Sequence, residues 1–120
     1  MTKDHSTVQS LVGEELSEVA FVRDYVELHF DGPVLRCLTK PVVESASGRF
    51  VFPESGSRDA LCSVIGGTVT AVSVQEHISI ALEFSGGQKI TVPLDDASRV
   101  GPEAAHYQSE LVHSPVFHVW

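Results

Sequence analysis

The chain has 120 residues, 42% hydrophobic and 20% charged, and its 16 acidic against 8 basic residues give a formal charge of −8. That size and balance predict one globular domain over residues 1–120 with a core of its own, and they argue against disorder. The charge repels phosphate backbones and anionic lipid surfaces, so the expected partner is a protein, basic in charge or a second copy of the chain, and neither nucleic acid nor a membrane.

In chain order, Ser6 is placed to cap a helical turn over 7–12 that ends at Gly13, with Val8, Leu11 and Val12 as its apolar stripe. Val26, Leu28 and Phe30 then alternate with Glu27, His29 and Asp31, the period of a strand with one buried face. Asp31-Gly32 marks a hairpin turn. Pro33 removes a ladder donor, so the next strand, over 34–39, starts late or lies at an edge. Residues 43–57 read as a linker with Gly, Ser and Pro around Arg49-Phe50-Val51-Phe52, a candidate extra strand. Ser57 is placed to cap a second helical turn over 58–65, which carries Leu61, Val64 and Ile65 and stops at Gly66. Ile78, Ile80, Leu82 and Phe84 alternate with polar or small residues, Ser85-Gly86-Gly87 turns the chain, and 88–94 forms a strand with Ile90, Val92 and Leu94 inward. Residues 95–109 are polar and read as loop, and the apolar tail over 115–120 reads as a last strand.

Two of these stretches are copies. LVGEELSEVAFVRDYVELHFDG matches VIGGTVTAVSVQEHISIALEFSGG, with Gly13 on Gly66 at an offset of 53 residues and Leu28 on Leu82 after one extra residue in the second turn. The copies extend over 11–40 and 64–94. Two copies are too few for a solenoid. They predict a mainly β fold, two antiparallel three-strand meanders related by a pseudo-twofold and packed as a sandwich or half-open barrel with short helices closing the ends. An α+β two-layer arrangement is the alternative.

No nucleophile elbow, P-loop, dinucleotide fingerprint, zincin motif or EF-hand loop occurs. The expected function is therefore non-enzymatic and needs no cofactor. Cys37 and Cys62 form no CxxC pair and are expected as buried free thiols. His106, His113 and His118 are weak metal candidates, because a separation of five puts the last two on opposite faces of one regular strand. His29 lies on the polar side of its strand beside Glu27 and Asp31. The polar first ten residues carry no apolar signal region and no apolar run reaches the roughly 20 residues of a membrane span, so a cytoplasmic location is expected.

LVGEELSEV with VELHFDG, VIGGTVTAVSV with ALEFSGGQKITVP, and a terminal Val-Trp resemble a family of small uncharacterised bacterial proteins of the actinomycete type. Its members carry duplicated G-x-x-V…F-D-G halves and commonly end in a Tyr-Trp-Glu-Leu stretch and a tryptophan-bearing strand. The resemblance covers 11–120 and implies no activity. Tyr107-Gln108-Ser109-Glu110-Leu111 keeps the Glu-Leu and lacks the tryptophan. The expectation is a protein-binding module, of an immunity type or homodimeric, that uses Phe117, Trp120, Tyr107 and His29. A small enzyme or metal protein built on the C-terminal histidines is the alternative.

Overall fold

Alternation along the repeated segments is burial: Val26, Leu28, Ile80 and Leu82 have no exposed surface, and the residues between them face out or sit half-covered. The computed structural model describes residues 7–109 and 116–120, Val116 and Phe117 in backbone only. A 3-10 turn (Val8–Leu11) leads into the first meander, β1 (Glu18–Val22), β2 (Tyr25–His29) and β3 (Val34–Cys37). A hairpin of β4 (Val42–Ser45) and β5 (Gly48–Val51) follows, then α1 (Ser57–Cys62). The second meander is β6 (Val69–Gln75), β7 (Ser79–Phe84) and β8 (Lys89–Pro93). A 3-10 turn (Asp96–Ser98) precedes β9 (Ala105–Ser109) and β10 (Val116–Val119).

The strands form two five-stranded antiparallel sheets, ordered β1-β2-β3-β9-β10 and β5-β4-β8-β7-β6. This is a mainly β sandwich and not a closed barrel. Each meander is extended by the hairpin that follows the other meander. The chain crosses between sheets after β3 and again after β8, so the two halves are interlocked rather than laid side by side. Register fixes the equivalences: Leu28 pairs with Leu35 and Leu35 with Tyr107, as Leu82 pairs with Ile90 and Ile90 with Val43. These residues are all buried in one core, together with Leu11 of the first 3-10 turn and Val64 just after α1.

Several expectations change. The stretch read as a linker is the β4–β5 hairpin and the start of α1, and the stretch read as loop contains β9. Only alternate positions of Ala-His-Tyr-Gln-Ser face the core, and two of those are the small Ala105 and Ser109, so its apolar signal is weak. Ser57 lies inside α1 and the cap position belongs to Gly56, whose φ of 86° a side chain would strain. Ser6 lies outside the described residues. Ile78 sits in the β6–β7 turn and is 58% exposed, and Val12 and Ile65 also face solvent. With one α-helix of six residues among the described residues and two five-stranded sheets packed together, the fold is the sandwich and not the two-layer α+β alternative.

Candidate functional site

On the outer face of the β1-β2-β3-β9-β10 sheet, strand register sets Glu27 opposite Arg36 and Arg36 opposite His106. Side chains at such facing positions touch, and here they bond in a row. Arg36 Nε donates to Glu27 Oε2 at 2.7 Å, and an Arg36 terminal nitrogen donates to His106 Nδ1 at 3.2 Å. Arginine can only donate, so Nδ1 accepts and the ring proton sits on Nε2, which lies 3.2 Å from Glu103 Oε2. At the other end His29 Nε2 lies 3.0 Å from Glu27 Oε1, and His29 Nδ1 lies 3.9 Å from Glu18. The row thus runs Glu18–His29–Glu27–Arg36–His106–Glu103 across β1, β2, β3, β9 and the loop before β9.

The row is unusually well covered for an outer face, with the Glu27, Arg36 and His106 side chains 15%, 26% and 16% exposed. Burial alone would push the Glu27 carboxyl up, but the hydrogen bonds and charges of Arg36 and His29 outweigh it and hold the group below its ordinary 4.5. Beneath the sheet, burial and the Glu27 charge push the Cys37 thiol up to about 12. Cys37 is buried and free, whereas Cys62, expected as buried, is free and exposed.

The other sheet offers an internal comparison. Ser73, Ala81, Thr91, Val42 and Val51 stand where Ala20, Glu27, Arg36, His106 and Val119 stand, and none is charged. Its own charged residues, Glu83, Lys89, Glu44 and Arg49, occupy the next row, are exposed, and form no ion pair among the described residues. The same fold is therefore complete without a packed, interbonded row on its outer face.

Of the residues singled out in the sequence, His29 is in the row. Tyr107 is not on the surface at all: it is fully buried, and its hydroxyl meets the buried Ser10 hydroxyl at 2.6 Å. Its strand carries the Tyr on the inward parity, opposite Leu35, which removes it from any binding surface. Phe117 pairs with Gln108 in β10, and its side chain lies outside the described ones. Trp120 continues that strand, half-buried against the core, with the His118 ring tilted at 31° to it and their centroids 4.3 Å apart. Among the described residues β10 pairs with β9 alone and forms an edge of its sheet. His106 faces Val119 on one side of the sheet and His118 faces Tyr107 on the other, so these two histidines do not converge, and His113 lies outside the described residues. Among the described residues no group of three His, Cys, Asp or Glu side chains could hold a metal ion.

Sequence reading missed Glu18, Arg36 and Glu103. The Glu27–Arg36 complementarity was present in the residues, but it becomes a signal only once the β2–β3 register is known. No family model, no curated protein and no solved structure matches this chain.

Proposed function

We propose that this chain is a non-enzymatic protein-binding module whose contact surface is the outer face of the β1-β2-β3-β9-β10 sheet. One observation carries the reading: a row of six polar and charged side chains is packed on this face, hydrogen-bonded from His29 through Glu27 and Arg36 to His106 and flanked by Glu18 and Glu103, while the duplicated sheet closes without one. The other sheet closes with Ala81 and Thr91 where Glu27 and Arg36 stand, so the fold does not require the arrangement. Rigid, pre-oriented charges do serve recognition, because they lower the ordering cost of binding and fix the register of a partner.

Three carboxylates against one arginine make the row acidic, in keeping with the net charge of −8. A basic protein is the complementary partner, as in an immunity-type complex, and long-range attraction accelerates its approach. The exposed carboxylates Glu18 and Glu103 lie at the two ends of the row, 65% and 46% exposed. Immobilised wild-type chain and a Glu18→Gln/Glu103→Gln variant, offered the same cell extract, test this. A basic protein retained by the first, lost from the second and released by salt is expected. Identical retention on both supports overturns the reading.

A second reading rests on β10, whose outer edge has no partner strand among the described residues. Such an edge can pair with another copy of itself and join two sheets into one. Sedimentation of the purified chain over a concentration series separates self-association from capture of a different protein.

A further inference from the structure

Arg23, Lys40 and Arg58, three of the chain's eight basic residues, line one cleft of about 500 Å³ at an end of the sandwich. The tip of the β1–β2 hairpin, the β3–β4 crossover, the start of α1 and residues 100–103 meet there. Phe52, Pro53, Val100 and Pro102 supply its apolar lining. Clefts of this size, mostly apolar with a few converging polar groups, are the usual form of small-molecule sites.

The cations are poised differently. The Arg58 guanidinium lies over two rings that stack on each other, 5.1 Å from the Phe52 centroid and 5.8 Å from that of Phe21. This contact holds the planar group in place. One of its nitrogens donates to the Pro53 carbonyl at 3.4 Å, and the other donors of its five N–H groups remain for a ligand. Arg23 and Lys40 have no ion pair or side-chain hydrogen bond among the described residues. Two acids also line the cleft, Asp24 and Glu103, the latter with Oε2 3.2 Å from His106 Nε2.

The duplication again supplies a control. The corresponding cleft at the other end measures about 220 Å³ and is lined by Glu76, His77, Arg99 and Trp120 among others. His77 and Arg23 both sit at hairpin tips with positive φ, 64° and 52°. Trp120 and Phe52 are equivalent too, each donating its amide across to the facing strand or its lead-in, at Ala105 and Pro41. Cys37 and Val92 hold matching registers, so Asp95 stands at the place of Lys40. That end carries its own Arg99 but closes with His77 and Asp95 where the larger cleft has Arg23 and Lys40, so the fold does not require those two cations.

We propose that the larger cleft binds a small organic anion with a flat apolar body and a single carboxylate. The carboxylate takes the free edge of Arg58, which suits it bidentately, with Arg23 and Lys40 as flanking charges. The body lies against Phe52, Pro53, Val100 and Pro102. This site is separate from the protein-binding face and touches its charged row only at Glu103, so either reading stands without the other.

Calorimetric titration of the full chain with 2-naphthoate, its neutral analogue 2-naphthamide, and inorganic phosphate tests the class. Saturable 1:1 binding of the naphthoate is expected, with the amide weaker by roughly tenfold or more and no measurable phosphate binding. Arg23→Gln/Lys40→Gln, in which neither lost side chain has a bonded partner among the described residues, should melt as wild type and bind the naphthoate roughly tenfold more weakly. Equal affinity for acid and amide overturns the proposal, as does a double variant that binds like wild type. Absence of saturable naphthoate binding, or phosphate binding as tight as the naphthoate, overturns it as well.

Discussion

Glu15 and Thr68 form an isolated antiparallel bridge, and each stands at the other's place in the 53-residue repeat, so the pseudo-twofold axis passes between them. The flanking bonds come in matched pairs. Gly13 donates its amide to the Val69 carbonyl and Gly66 donates to that of Leu16, both at 2.8 Å, while Val69 donates to Glu14 and Leu16 to Gly67 at 2.9 and 3.0 Å. The halves are thus joined along the axis by backbone bonds that the duplication itself generates.

Gly13 and Gly66 make this junction with φ of +92° and +94°, and a Cβ added at either would meet nothing within 4 Å. Only the backbone conformation resists substitution. Gly13→Ala and Gly66→Ala should each destabilise by about 1–2 kcal/mol, the usual cost of a left-handed L-residue. Urea denaturation reads both. A clear inequality between the two would show that the symmetry of the backbone does not extend to its energetics.

Leu28 and Leu82 are equivalent and fully buried. Leu28→Ala and Leu82→Ala should each cost roughly 2–5 kcal/mol, the lost transfer energy plus the cavity left behind. A loss below about 1 kcal/mol at either position would remove it from the core.

These two positions also show what the sequence made legible. Alternation of Ile80, Leu82 and Phe84, with turns at glycine, placed the meanders, and a self-match at an offset of 53 residues disclosed the symmetry. Neither signal says which hairpin joins which meander. That exchange depends on the crossovers after β3 and β8, which contain no periodicity. Tyr107 was misread for a related reason: within a polar stretch its inward parity depends on its pairing with Leu35, 72 positions away in sequence. The charged row was hidden likewise, its members scattered from Glu18 to His106 and aligned only by register.

The two thiols should differ in chemistry. Cys37 is buried with its thiol pushed up to about 12, and Cys62 is exposed. The thiolate is the nucleophile, so a disulfide-exchange reagent at mildly alkaline pH should titrate Cys62 quickly in the native chain and Cys37 only after denaturation. Two equally fast thiols in the native protein would contradict the buried placement of Cys37.

Glu27 gives the row a pH dependence of definite sign. Its folded-state pKa is lowered, so its contribution is present above the ordinary carboxylate range and is lost as pH falls through the folded value, below 4.5. Glu27→Gln should therefore cost about 1–2 kcal/mol at neutral pH, with partial exposure holding it to that. The gap between wild type and variant should narrow in acid. Denaturant midpoints at neutral pH and in strong acid check this, and a gap that widens in acid would reverse the assignment.

Val119 and Trp120 end the chain with different tasks. Val119 faces outward, opposite His106, and is 40% exposed. Trp120 is anchored by its backbone, donating to the Ala105 carbonyl at 3.0 Å and accepting from the Ala104 amide at 2.6 Å, with its ring against the core. Its indole Nε1 is buried without a hydrogen-bond partner among the described residues, and a donor in that state carries a desolvation cost of roughly 1–3 kcal/mol. The equivalent position in the other half holds Phe52, an aromatic with no donor to satisfy. Trp120→Phe should accordingly leave stability unchanged or raise it, whereas Trp120→Ala should lower it by about 1–3 kcal/mol, less than for a fully buried aromatic. Val119→Asp should leave the melting temperature near wild type and, under the second reading of function, abolish self-association through β10. Thermal melts and sedimentation on the three variants give the answer together. If Trp120→Phe is as damaging as Trp120→Ala, the indole nitrogen has a partner after all and Trp120 is not the counterpart of Phe52.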